Sequence, residues 1–186
     1  MTLTEMKDRT LSLIEELNPE SEYLTDDIDI QAKINYVIDI KAHELARIKK
    51  IAVTETIDVN EGDEINLYEE IKNFYQLKSI TGVKYDIFDS IVTFEEEGTA
   101  KIRYYKYPKM ITKETKGDDY KFELSTDVLE IMPFGVAADL LKSDVSAQYG
   151  RVYADEYAKA LNMLDTRVSE GMVEIKGGFN TMGRWL

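Results

Sequence analysis

The sequence predicts an α+β protein that is mainly α, a bundle of about four helices with a small antiparallel β-sheet inserted between helices 2 and 3. Three observations point there. Ile30, Ile34, Val37, Ile38, Leu45 and Ile48 recur at helical spacing. From Ile51 the period changes to the β-branched alternation IAVTETIDV. Beyond Phe122 the pattern returns to that of two successive helices, running to Leu164.

The first helix is expected from Leu3 to Leu17, with Thr2-Leu-Thr-Glu5 as a capping box, Met6, Leu13, Ile14 and Leu17 as its apolar side and Asn18-Pro19 as its stop. The second begins near Asp26 or Asp27, whose carboxylates suit a helix N-terminus, and runs to about Lys50, where Arg47, Lys49 and Lys50 suit the negative end of the dipole. Lys41 interrupts its stripe and is read as a buried stem with its head reaching water. Tyr36 and Ile40 lie on the other side, either as scattered surface groups or as a subunit contact.

After the strand IAVTETIDV, Asn60-Glu61-Gly62-Asp63 reads as a turn. Further strands are expected over Gln76–Val83, Ile91–Phe94 and Ala100–Tyr107, the last two paired as a hairpin across Glu95-Glu-Glu-Gly98. Lys113 to Tyr120 is a polar loop. The third long helix, Asp127 to Lys142, opens on the capping-box-like Asp127-Val-Leu-Glu130 and is apolar nearly all round, so it must be buried all round. The fourth, from about Ser146 to Leu164, spreads Tyr149, Val152, Tyr153, Tyr157, Ala160, Leu161 and Leu164 over a face wider than one core contact needs. Tyr149, Tyr153 and Tyr157 therefore join Tyr36 and Ile40 as candidate subunit-interface residues. The expected organisation is one domain over residues 1–168, made of a helix pair (1–50), a β insert (51–110) and a second helix pair (122–168), followed by a tail over 169–186. That tail has no period yet ends in Phe179, Met182, Trp185 and Leu186, which mark it as a segment that docks on a partner.

The formal net charge is −13, from 36 acidic against 23 basic residues, and an acidic chain is a poor match for a phosphate backbone, where affinity comes mainly from cations. Tyr104, Tyr105 and Tyr107, interleaved with Lys101, Arg103, Lys106 and Lys109, could stack bases, but the acidic surroundings argue against it and a half-buried tyrosine-rich sheet is the commoner explanation. No apolar run approaches the ~20 residues of a membrane span. The opening MTLTEMKDRT has no signal-peptide pattern, and the chain has no cysteine, so a cytoplasmic site of synthesis is expected. The only histidine, His43, reads as a solvated surface residue. No catalytic, metal-binding or cofactor-binding residue is assigned, and the chain is read as a non-enzyme that needs no cofactor.

One family resemblance runs through Ile51 to Leu164. FELSTDVLE, an apolar helix ending GVAADLL, and SDVSAQYGRVYADEYAKALNML resemble the C-terminal helix pair of the head-tail connector (adaptor) proteins of long-tailed bacteriophages. NFYQLKSITGVKYDIF and IVTFEEEGTAKIRYYKYPKMIT resemble the small β-region those proteins insert between their helix pairs. Pro133 inside a helix, and IKNFYQL in place of a proline-containing turn, depart from the pattern. The resemblance implies a structural virion protein at the head-tail junction, made in the bacterial host cytoplasm. It would form a ring of its own copies, usually twelve, beneath the portal protein, extend the DNA channel and carry the next head-completion or tail protein. DNA would pass without specific binding, and no membrane would be involved. The competing reading is an acidic nonstructural binding module, an inhibitor acting on a host protein.

Overall fold

Residues 1–143 and 147–164 are described by the computed structural model. In chain order the elements are α1 (Leu3–Leu13), α2 (Ile28–Ile48), β1 (Ile51–Val59), β2 (Glu64–Asn66), the single turn α3 (Leu67–Glu70), β3 (Phe74–Thr81), β4 (Tyr85–Phe88), β5 (Ile91–Phe94), β6 (Gly98–Lys106), α4 (Thr126–Leu140) and α5 (Ala147–Met163). A 3₁₀ turn over Leu141–Ser143 follows α4.

The fold is a mixed α+β one, and the expectation of a mainly helical bundle with one small sheet is corrected. The β region contains two three-stranded antiparallel sheets, ordered β1-β6-β3 and β2-β5-β4. It has its own core, in which Val92 and Phe94 of the second sheet meet Ala100, Ile102 and Tyr104 of the first. The expected hairpin also dissolves, because β5 and β6 belong to different sheets and Glu95–Glu97 connects them. Strand length decides the pairing. All nine residues of β6 are matched by β1, from Ile51 opposite Lys106 to Val59 opposite Gly98, whereas β5 has four. Ladder bonds and cross-strand side-chain pairs accumulate with length, so a long strand finds its long partner even at distant sequence positions. Gly82, with φ +103°, turns the chain between β3 and β4 where a Cβ would run into the Thr99 carbonyl oxygen.

Burial, together with a 2.7 Å hydrogen bond to Glu55 and that group's charge, pushes the Tyr104 hydroxyl up to about 12. Burial raises Tyr120 and Tyr157 as well. An unfolded tyrosine ionises near pH ~10, so above that value the unfolded chain releases protons that the folded one retains. Stability should therefore be whole below about pH 10 and fall as pH climbs through the folded-state values. Melting temperatures measured across this range check the sign, and a flat profile to pH ~12 would contradict the burial of these hydroxyls.

The helical half is built around α4. Its Val128, Leu129, Met132, Val136 and Leu140 join Leu3, Met6 and Leu11 of α1 and Ile30, Ile34, Ile38 and Leu45 of α2 in one core. The capping box at α1 is present, with Thr2 Oγ accepting from Glu5 N at 3.1 Å and Thr2 N donating to Glu5 Oε2 at 2.8 Å. The helix stops at Leu13 rather than Leu17, since Glu15 takes φ 60°. Asp27 caps α2 by accepting from Asp29 N and Ile30 N. At α4 the N-cap is Ser125, and Asp127 instead pairs with Lys49 at the end of α2. Pro133 sits inside α4 without ending it.

The head of Lys41 is held by carboxylates in a part-exposed position. Its Nζ lies 2.9 Å from Glu44 and 3.0 Å from Asp139, joining α2 to α4, with the Tyr157 ring 5.1 Å away. Burial alone would lower the ammonium's pKa, but the hydrogen bonds and charges of the two carboxylates outweigh it and the net direction is upward.

Candidate interaction surface

Side chains that could recognise another molecule arise here from ordinary helix and strand geometry. On α2 the inward stripe leaves positions 28, 32, 36 and 40, each one step of four apart, on one line along the opposite side. Tyr36 is 68% exposed, and Ile28 and Ile40 are exposed beside it. This line borders an open cleft of about 840 Å³ between the first half of α2 and residues 111–117, with Tyr23, Asn35 and Tyr36 in its wall. Asn35 donates to the Thr112 carbonyl at 2.9 Å, while its Oδ1 has no partner among the described residues. Across the same strip of chain, Asp39 Oδ1 accepts from Ile111 N at 2.7 Å. The loop is thus pinned to one face of α2 at two positions a turn apart.

The tyrosines of α5 divide. Tyr149 is 60% exposed, with Val152 exposed beside it. Tyr153 is half-buried and its hydroxyl donates to the Leu13 carbonyl at the end of α1. Tyr157 is only 7% exposed, its hydroxyl donates to Glu44 Oε1 at 3.2 Å and its ring lies against Gly135. Both of these candidate subunit contacts have an intramolecular role, since their hydroxyls tie α5 to the end of α1 and to α2 while the helix packs on α4; Tyr157 is buried and Tyr153 keeps a part-exposed ring. Tyr36, Ile40 and Tyr149 face outward. Phe179, Met182, Trp185 and Leu186 lie outside the described residues.

Sequence reasoning missed the apolar groups of the β region. Phe88 is 82% exposed beside Ile91 on the second sheet, where Phe88 and Ile91 are register partners. The signal was available in the alternation of residues 91–94, since Val92 and Phe94 face the core and Ile91 and Thr93 must face away. Tyr104 and Tyr105 part in the same way. Tyr104 enters the core, whereas Tyr105 lies on the outer face with Lys50 Nζ 4.9 Å and Lys78 Nζ 5.9 Å from its ring. Tyr107 packs with Tyr75, ring centroids 4.6 Å apart, and with His43 at 5.8 Å. His43 is therefore half-buried against an aromatic ring rather than solvated, and its Nδ1 lies 2.9 Å from the Asp39 carbonyl oxygen.

Among the described residues no group of three or more His, Asp or Glu is placed to hold a metal ion. The sequence reading, which assigns no metal ligand, predicts that chelation leaves the melting temperature unchanged, and a fall reversed by one particular ion would overturn that expectation. No helix of the described residues is long and apolar enough to cross a membrane. No protein-family model matches the chain, and no curated protein matches it.

Proposed function

We propose that this chain is a structural subunit of a phage head-tail connector, assembling as a ring beneath the portal, extending the DNA channel and presenting a platform to the next head-completion or tail protein. The observation that carries the reading is the order of elements. A helix pair, a β region and a second helix pair follow one another in this chain, the order that the family resemblance implies. Outward apolar groups remain on α2, on α5 and on the second sheet after the two cores have closed. Apolar groups left exposed on three separate elements suit a protein that has neighbours. Net charge −13 suits a channel that DNA traverses without adhering.

Electron microscopy of the purified protein, alone and mixed with a purified portal, tests this. Rings, or subunits seated around the portal, are expected; an inhibitor of a host protein would remain a small discrete species. Truncation after Val168 is expected to leave the melting temperature unchanged and to abolish portal binding, with Trp185 as the anchor. Normal binding by the truncated chain would remove the tail from the mechanism.

A further inference from the structure

We infer that neighbouring copies of this chain join through different faces of the β region, the cationic outer face of the first sheet seating on the acidic, apolar outer face of the second. This rests on the ring reading above and specifies its contact. Each sheet turns one face to the shared β core, so each outer face points away from it.

On the first sheet, alternation sends Ala100, Ile102 and Tyr104 inward and Lys101, Arg103 and Tyr105 outward. Arg103 stands between Thr54 and Ser79, and Lys101 between Thr56 and Thr81, so short polar side chains flank each cation. Lys78 and Lys50 gather over Tyr105. Lys78, Lys101 and Arg103 have no ion-pair partner within 4.0 Å among the described residues. Asp58, at the end of this face, accepts from Thr99 Oγ at 2.8 Å. A cluster of unpaired cations is out of keeping with a chain of net charge −13, and most of the remaining surface of any copy is its electrostatic complement.

The second sheet supplies the most specific complement. Register places Glu64, Thr93 and Asp86 in one row across its outer face, with Asn66, Ile91 and Phe88 in the next. Two exposed carboxylates about 9–10 Å apart thus stand beside an exposed apolar pair. Lys101 and Arg103, about 7 Å apart along their strand, have stems long enough to reach both. Tyr105 and the lysine stems supply apolar area opposite Phe88. Complementary patches on different faces of one subunit make a heterologous contact, which closes into a ring when the rotation per copy divides a turn.

Sedimentation velocity of the full chain tests this with Lys101→Glu/Arg103→Glu and Glu64→Lys/Asp86→Lys. All substituted residues are exposed, so both variants should melt with the wild type. The wild type should show a larger species that grows with concentration and shrinks with added salt. Like charges then face each other in either variant alone, and association should weaken about a hundredfold. An equimolar mixture of the two should recover it, because each reversed face then meets its complement. Assembly that persists in both variants alone overturns the contact while leaving the ring reading intact. So does a mixture that fails to recover. A wild type that stays a single subunit at the highest concentration and lowest salt also overturns it, and the ring reading is then decided by portal binding. Retention of a single-stranded oligothymidine by the wild type, lost in Lys101→Glu/Arg103→Glu, overturns it too by making the cationic face a nucleic-acid surface.

Discussion

Met132→Asp is expected to abolish the cooperative unfolding transition of this protein. Met132 has no solvent exposure and lies in α4 where that helix meets α1 and α2. A carboxylate there has no partner cation in the core, and burying an unpaired charge costs several kcal/mol, an amount comparable to the whole stability of a domain of this size. Met132→Ala separates charge from volume. It removes apolar contacts and leaves a cavity, so it should cost about 2–5 kcal/mol and still fold. Denaturant titration with circular dichroism reads both variants. If Met132→Asp unfolded as cooperatively as wild type, α4 would not be the central helix.

The second large effect belongs to the contact between α4 and α5. A Cβ on Gly135 would come within 2.9 Å of the Tyr157 ring, so Gly135 is the gap into which that ring fits. Tyr157→Ala is expected to cost about 3–5 kcal/mol, while Tyr157→Phe, which loses only the hydrogen bond to Glu44, should cost about 1 kcal/mol. Gly135→Leu should displace the ring and detach α5, read as loss of helical signal beyond what global destabilisation produces. Equal stability of Gly135→Leu and wild type would mean that α5 does not pack there.

Much of the helical half was legible because its signals are local. Thr2 with Glu5, and Asp27, mark helix starts through contacts within a turn, and the stripe from Ile30 to Leu45 repeats often enough to define a face. The β region was legible strand by strand but not in its pairing. β2 and β4, with three and four residues, are too short to show a period, and β5 and β6 alternate equally well whether or not they pair. Which strand lies beside which depends on a core assembled from residues 59–104, and no window of sequence contains that information.

The candidate interaction surface was legible only in part for a related reason. A broad apolar face on α5 looks the same whether its tyrosines meet a neighbouring chain or another helix of the same chain. Tyr157 went inward because Gly135 leaves room for its ring and Glu44 accepts its hydroxyl. Tyr149, two turns earlier, is exposed among the described residues. The cations on the sheet were visible as alternating residues, but their collection over Tyr105 required Lys50, from the link between α2 and β1, and Lys78, from β3, to arrive from positions distant in sequence.

The central claim, that this chain builds a ring at the portal, is tested most directly by electron microscopy of the full-length protein mixed with a purified portal of a long-tailed phage. The account predicts closed rings coaxial with the portal and an open central channel. A small discrete species that neither forms rings nor engages the portal would contradict it.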